Sequence, residues 1–376
     1  MLEDLIPKAF RALGALATRR VTIICDGIAF EFHGVPLKKL LNRYLVHASF
    51  RVKPERPWGW PTHLQIEPDA HCNLRCVVCP VTTGLGRPIG RMELGVFQKL
   101  IDEIGEYLFL ILLWDWGEPF LNPDLCEMIA YAGKKGIKLL TSTNGHLFRH
   151  AEQVDRVIRS GLHALIVAVD GVTQETYELY RQGGDLETVL DGVRLLVERK
   201  RALDSETPLI VLRFVVMKQN EAEIPRLREL ARSLGVDALA LKTMNPYGSD
   251  TALLPEDPRY RRFKYAADGT TRLRRRLNPC LHLWHMPVIL WNGAVCMCTF
   301  DSQEEYVFGN LHDSTFRNIW FGDQYRRARR QFHTNWEGIA LCHGCSYAYE
   351  GGSCIDEIIA DVEFFGPETP DQECGR

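Results

Sequence analysis

The sequence predicts an α/β fold built on a parallel sheet. Between residues 62 and 244, six apolar strand-like runs alternate with longer amphipathic segments. The runs are nearly continuous in Val, Ile and Leu, as in strands covered on both faces. Polar and glycine residues cluster where the runs end. Such alternation argues for parallel pairing through right-handed crossovers, in a barrel or an open sheet.

Taken in order, residues 1–61 form an α+β prelude. Leu2, Leu5, Ile6, Phe10 and Leu13 fall near one helical face, which packs against the rest of the protein. Contact of that face with a membrane surface, flanked by Lys8, Arg11, Arg19 and Arg20, is the alternative. "VTIICDGIAFEFHG" reads as a hairpin, "PLKKLLNRYLVH" as a second helix and "KPERPWGWP" as a linker. The alternating region, 62–250, then runs "HLQIEPD" (strand), "ELGVFQKLIDEIGEY" (helix), "LFLILLWDW" (strand), "PDLCEMIAYAGKK" (helix) and "IKLLTSTNG" (strand). It continues with "HAEQVDRVIRSG" (helix), "ALIVAVDG" (strand), a helical stretch broken at Gly183-Gly184, "LIVLRFVVM" (strand), "EAEIPRLRELARSLG" (helix) and "ALALKTM" (strand). Residues 251–279 form a basic linker, 280–354 a cysteine-bearing region of short strands and turns, and 355–376 a tail.

Composition excludes several classes. A net charge of −3 gives no global attraction to nucleic acid, so none is expected as a partner. The basic runs "RYRRFKY", "RLRRR" and "RRARR" read as solvated faces and turns. No stretch approaches the ~20 apolar residues that span a bilayer. Glu3 and Asp4 stand where a signal peptide carries positive charge, so a cytoplasmic location is expected.

The polar strand ends "EPD", "DWGEP", "STNG", "VDG" and "KTMNP" would share one rim, and in α/β barrels and sheets the carboxyl ends of strands build the active site. Of the 12 cysteines, all but Cys25 and Cys126 lie within 72–79 or 280–374, which argues for two metal sites rather than a disulfide framework. In "AHCNLRCVVCP", Cys72, Cys76 and Cys79 have the spacing C-x3-C-x2-C. Zinc would need a fourth ligand, for which adjacent His71 is poorly placed. The alternative is a 4Fe–4S cluster with three irons held and one open for a substrate or cofactor.

C-x3-C-x2-C on the loop after the first strand resembles the radical S-adenosylmethionine (radical SAM) superfamily, from residue 62 onward. The resemblance implies a partial (β/α)6 TIM-like barrel, with Cys72, Cys76 and Cys79 holding the catalytic cluster. It also implies that S-adenosylmethionine is the missing ligand, bound through its amino and carboxylate groups. Reductive cleavage would then give methionine and a 5′-deoxyadenosyl radical that abstracts hydrogen from substrate. "WGEP" (116–119) resembles the family's GGEP element, with Trp116 in place of the first glycine. Glu118 would there accept from the methionyl amino group. By the same resemblance Ser142 and Asn144 would meet the ribose or methionyl part. Asp170 would belong to the cofactor contacts, and Arg181 would pair with the cofactor carboxylate. The position before the third cysteine, usually aromatic, is Val78.

The order Cys280, "WNGAVCMC", "FGNLHD", "IW", "CHGC" is similar to the SPASM/twitch extension, a small C-terminal iron–sulfur domain. The resemblance implies one auxiliary 4Fe–4S cluster on Cys280, Cys298, Cys342 and Cys345. Cys296 competes with Cys298, which preserves the glycine spacing. Cys296, Cys354 and Cys374 are available should a second auxiliary cluster exist. His282 and His285 read as core or surface histidines.

The implied chemistry is oxidation of a small molecule such as a sugar or cyclitol, with the auxiliary cluster accepting an electron. An external donor such as flavodoxin or ferredoxin would reduce the first cluster. Asp170, Glu67 and Asp115 are placed to act as a base. Epimerisation with hydrogen return from a free thiol, modification of a peptide or lipid, and a non-catalytic electron-transfer or structural metalloprotein are the alternatives. Cys25 and Cys126 read as buried hydrophobes.

Overall fold

The structure, a computed structural model, describes residues 14, 16–245, 252–263, 265–266, 273, 280, 282–343, 345 and 359–365. Of the expected first helix, at 2–16, residues 2–13 and 15 lie outside the described residues, as do Cys354 and Cys374, while 14 and 16 are helical. No helix among the described residues is long and apolar enough to cross a membrane.

Strands β1 (Val21–Cys25) and β2 (Ile28–Phe32) form the expected hairpin. Its turn residues Asp26 and Gly27 have φ of 56° and 76°, the positive values that an Asp-Gly turn supplies. The helix Leu37–Val52 follows. Strands β3 (His63–Ile66), β4 (Leu110–Leu112), β5 (Lys138–Thr143), β6 (Ala164–Ala168), β7 (Leu209–Val216) and β8 (Ala238–Thr243) then lie side by side. All five contacts between them are parallel, so the six-stranded α/β unit is as expected.

Side chains alternate across these strands. Leu139, Leu165, Val167, Leu212, Phe214, Leu239 and Leu241 face the helices and join the main core. Leu140, Ala164, Ile166, Val211, Ala238 and Ala240 face the other way, into the barrel. Each fully buried aliphatic side chain contributes about 1.5–3 kcal/mol, so the two-sided cover explains the unbroken apolar runs.

The hairpin is not separate from the barrel. Ile23, Ile28, Phe30 and Phe32 pack with the inward residues, and Phe32 meets Phe109 edge-on at 5.2 Å between ring centroids. Phe109 lies at the amino end of β4, so the hairpin plugs the end of the barrel opposite the polar rim. Cys25 is buried there, and Cys126 packs against the main core, as their hydrophobic character suggests.

The C-terminal region extends the same sheet. Strand β9 (Val288–Ile289) runs parallel to β3, and β10 (Ala294–Cys296) and β11 (Val307–Asn310) continue antiparallel. On the far edge β12 (Ile359–Phe364), in the expected tail, pairs antiparallel with β8. Two basic runs differ from expectation. Arg262 is buried, and Arg329 is fully buried between the rings of Trp320 and Tyr325 while donating to the carbonyls of Leu283, Glu55 and Trp320.

Candidate functional site

The three cysteines lie on the loop beyond the carboxyl end of β3. The loop is docked by backbone bonds onto the segment after the helix Gln174–Tyr180: Arg75 N donates to Gln182 O at 3.0 Å and Val77 N to Tyr180 O at 3.1 Å. Cys79 is extended and precedes the short helix Pro80–Thr83, with proline at the first helical position. The three thiols are close enough to feel one another's charge. Several N–H groups point at their sulfurs: Leu74 N at 3.5 Å and Asn144 Nδ2 at 3.9 Å from Cys72 Sγ, and Arg181 Nη1 at 3.9 Å from Cys76 Sγ.

Among the described residues no three His, Cys, Asp or Glu side chains converge on a single metal ion. A cubane asks for something else, because each thiolate takes its own iron. Three thiols with N–H donors on the sulfurs fit that group. Burial pushes the Cys72 thiol up to about 11, so metal loading has to displace its proton.

The end of β4 is pressed against this loop. Gly117 has φ of 99°, and a Cβ there would stand 2.1 Å from Asp69 O and 2.8 Å from the Ala70 carbonyl carbon. Glycine is therefore required in "WGEP". Glu118 is buried and accepts from Phe120 N at 3.1 Å, Thr143 Oγ1 at 2.8 Å and Asn144 N at 2.8 Å. Its own N–H donates to His71 O at 2.7 Å. Glu118 thus ties the cysteine loop to the ends of β4 and β5. Three of the roughly four acceptor positions of its carboxylate are taken up by protein. Burial raises its pKa, opposed by these donors.

Asn144 is likewise engaged within the protein. Its Nδ2 donates to Asn73 Oδ1 at 2.7 Å and its Oδ1 accepts from His146 N at 3.1 Å. Asp170 has no exposed surface: Oδ1 accepts from Val215 N at 2.7 Å and Oδ2 from Arg181 Nε at 2.6 Å. Each of its oxygens thus accepts one bond from the protein, and one of these fixes Arg181. Ser142 differs from these. It lies on the inward face of β5 with Leu140, is half-buried, and its hydroxyl makes no hydrogen bond among the described residues. Beside the loop, Val78 packs with Met217, Met244, Leu254, Tyr180 and Tyr265 in an apolar cluster.

A polar bridge connects the rim to the C-terminal region. Trp116 Nε1 donates to Thr299 O at 3.0 Å, and Asp115 accepts from Gln65 Nε2 at 3.0 Å and, through a short bond, from Thr299 Oγ1. Glu67 is paired with Arg87 at 2.6 Å. Burial, then the Glu67 charge, raise Asp115 well above the carboxylate range. Trp116 in place of a glycine thus has a partner of its own.

Next to Thr299, Cys298 faces Cys280, Cys345 and Cys342, each near enough to act on it electrostatically. Cys342 likewise faces Cys280 and Cys345. Cys296 is placed differently, with Asp301, Glu304 and Asp115 as its charged neighbours and Val288, Leu290 and Ala294 around it. Four gathered thiols fit a fully ligated cluster; Cys296 ends β10, and Cys298 lies beyond the strand. His282 and His285 are buried in the core. Sequence reasoning missed the ties of Glu118 and Asn144, whose partners are distant in the chain, and the Trp116–Thr299 bridge.

Comparison with known proteins matches residues 66–231 to the Radical SAM superfamily and 280–346 to SPASM, an iron–sulfur cluster-binding domain. An AdoMet-dependent heme synthase of Methanosarcina barkeri is 30% identical over 189 residues, 50% of this chain and 52% of that protein, so the match spans about half that relative's length. A tungsten-containing aldehyde ferredoxin oxidoreductase cofactor-modifying protein of Pyrococcus furiosus is 24% identical over 352 residues, 83% of this chain and 94% of that protein. Among solved structures, Streptococcus suis SuiB bound to S-adenosylmethionine superposes with a TM-score of 0.58 at 15% identity, covering 86% of this chain and 79% of that one. SuiB has also been solved bound to its precursor peptide SuiA. Likeness at this identity concerns the fold.

Proposed function

This chain belongs to the radical SAM superfamily and carries a SPASM iron–sulfur domain, and on that premise we propose that it oxidises a small molecule by hydrogen abstraction, with the C-terminal cluster receiving an electron. The observation that carries this reading is the pair of thiol groups, three and four strong, joined across the rim by the Trp116–Thr299 and Asp115–Thr299 contacts. A cluster with every iron on a thiolate has no open position for substrate, so its use is electron transfer.

Cys72, Cys76 and Cys79 would hold the first cluster and Cys280, Cys298, Cys342 and Cys345 the second. When bound, the first cluster and S-adenosylmethionine together supply reductive cleavage of the sulfonium and a 5′-deoxyadenosyl radical that takes hydrogen from substrate. The chain's own residues position the parts. Glu118 braces the loop against β4 and β5, with one lone pair left for the methionyl amino group. Asp170 fixes Arg181 beside Cys76, and the Ser142 hydroxyl faces the barrel interior. The apolar cluster around Val78 offers a face for the adenine. Of the three carboxylates placed to act as a base, Glu67 and Asp170 are held in ion pairs with Arg87 and Arg181. Asp115 has no ion pair among the described residues, and its pKa is raised by burial first and then by the Glu67 charge. Its Oδ1 accepts from Gln65 and Thr299, on the bridge between the rim and the C-terminal region.

A small molecule is favoured over a peptide because the described part of the N-terminal segment is packed into the barrel as its plug. An external flavodoxin or ferredoxin would deliver the electron. Cysteines gathered into two thiol groups suit a reducing, cytoplasmic setting. To test the reading, the reconstituted enzyme, S-adenosylmethionine and a reductant are mixed with fractions of an extract from deuterium-grown cells, and 5′-deoxyadenosine is analysed by mass spectrometry. Deuterium is expected from the dialysable fraction. Deuterium arriving only from the macromolecular or lipid fraction contradicts the small-molecule assignment.

A further inference from the structure

The barrel interior holds cations that the cysteine chemistry does not use. Arg213 on β7 and Lys242 on β8 take inward positions, by the same alternation that turns Val211, Ala238 and Ala240 inward. Arg262 lies just beyond β8, next to the bridge between Met244 and Arg261. Arg213 and Arg262 are only 4% and 5% exposed. Lys242 is half-buried and lies within electrostatic reach of Arg213, Arg262, Asp26 and Asp170.

Their compensation is incomplete. Asp26, at the tip of the plugging hairpin, meets Arg213 Nη1 at 3.1 Å. Asp170 is already engaged by Arg181. Arg213 Nε and Nη2 and Arg262 Nε are buried without an acceptor, as is the second oxygen of Asp26, and the Lys242 ammonium makes no hydrogen bond among the described residues. Buried charged donors are normally satisfied, because leaving them bare forfeits their hydration with nothing in return. Three cations against the single Asp26 carboxylate therefore make a place where an anion is stabilised. Burial first, then Arg213, lower the Lys242 pKa to about 8, the expected response of an ammonium held near other cations.

The position of the cluster relates it to the rim. Val169 N donates to Arg213 O at 2.8 Å, and Val215 N donates to Asp170 Oδ1 at 2.7 Å. Arg213 is thus on the same inner wall as the Asp170–Arg181 pair that reaches Cys76. Below it the hairpin closes the barrel. A molecule entering from the cysteine rim meets these cations before it meets the plug.

We propose that Arg213, Lys242 and Arg262 form an anion-binding subsite on the floor of the barrel, which holds a carboxylate or phosphate of the substrate. The substrate is then an anionic small molecule, anchored by its charged end with the rest directed toward the cysteine rim. The assignment of this anion to a substrate rests on the proposed reaction; the binding of an anion does not.

The test uses the reconstituted holoprotein and reads the rate of Lys242 acetylation by acetic anhydride at pH 8, by peptide mass spectrometry, with the other lysines as internal controls. Inorganic phosphate and succinate are the probes, and glycerol is the neutral control. An anion at ten times its Kd is expected to slow Lys242 labelling about ten-fold by mass action, with no effect of glycerol. Arg213→Gln is expected to abolish the protection, and Arg262→Gln serves in its place if that variant does not fold. Absence of protection by both anions, or protection that survives the substitution in a folded variant, overturns the site. Protection by S-adenosylmethionine alone, with none by phosphate or succinate, assigns the cations to the cofactor carboxylate and overturns it as well. Labelling needs no turnover, so a protein that binds phosphate at Lys242 but cleaves no S-adenosylmethionine refutes the reaction and leaves the subsite standing.

Discussion

The Arg181 guanidinium is locked to the Asp170 carboxylate, Nε to Oδ2, at 2.6 Å. Asp170 has no solvent exposure and Arg181 little, so the pair is well shielded from solvent screening. The same guanidinium reaches Cys76 Sγ with Nη1 at 3.9 Å. A buried carboxylate thereby sets the orientation of a cation beside the first thiol group.

Replacing Asp170 by Asn keeps the shape and removes the charge that holds Arg181. Supporting residues of this kind change affinity by about 10–100-fold when altered. Asp170→Asn is therefore expected to weaken S-adenosylmethionine binding by at least about ten-fold and to leave the iron content unchanged. Equilibrium dialysis beside an iron assay checks both halves.

Gly117→Ala is expected to be severe. The added methyl would lie 2.1 Å from the Asp69 carbonyl oxygen, a backbone atom that cannot step aside. Strain at a positive φ adds to the collision, and together they should cost at least about 2 kcal/mol. Thermal unfolding and the yield of iron-loaded protein are the readouts.

Cys298 and Cys296 are two residues apart and differ in surroundings, one facing three thiols and the other facing carboxylates. Cys298→Ala is expected to lose about four irons, the content of one cubane, while Cys296→Ala keeps them. Iron and sulfide analysis of the two variants decides between the ligand assignments.

Stability should fall on mild acidification. His285 is held well below its ordinary value by burial first, then by His47, His63 and Arg43, and burial takes His63 down to about 3. Folded pKa values lie below the unfolded value near 6.5, so the unfolded chain takes up protons first. The stabilisation is complete above that pH and is lost as pH falls toward the folded values. His285→Phe should flatten the decline by about 1.4 kcal/mol per pH unit below pH ~6. Urea unfolding at pH 7 and pH 5 provides the measurement.

The six strands and their rim were legible because burial on both faces leaves an unbroken apolar run, and because turn and cap residues mark where each run ends. The glycine of "WGEP" was legible as a motif, and the 2.1 Å approach of Asp69 O supplies its cause. The partners of Glu118 were not legible, since Thr143 and Asn144 belong to another strand and no periodicity links them. The hairpin was readable as a hairpin, but nothing local says that Phe30 and Phe32 fill a barrel. Arg262 and Arg329 sit in basic runs that look solvated, and only the packing of Trp320 and Tyr325 around Arg329 shows that it is buried.

The central claim is that Cys72, Cys76 and Cys79 support reductive cleavage of S-adenosylmethionine. The direct measurement is 5′-deoxyadenosine formation, by mass spectrometry, in anaerobically reconstituted protein given S-adenosylmethionine and a strong reductant. A variant with all three cysteines changed to Ala is run beside it. The parent should form 5′-deoxyadenosine, and the variant should form none while retaining about four irons on the C-terminal thiols. A parent that forms none and binds zinc or no iron would contradict the account and leave a structural metalloprotein on a barrel.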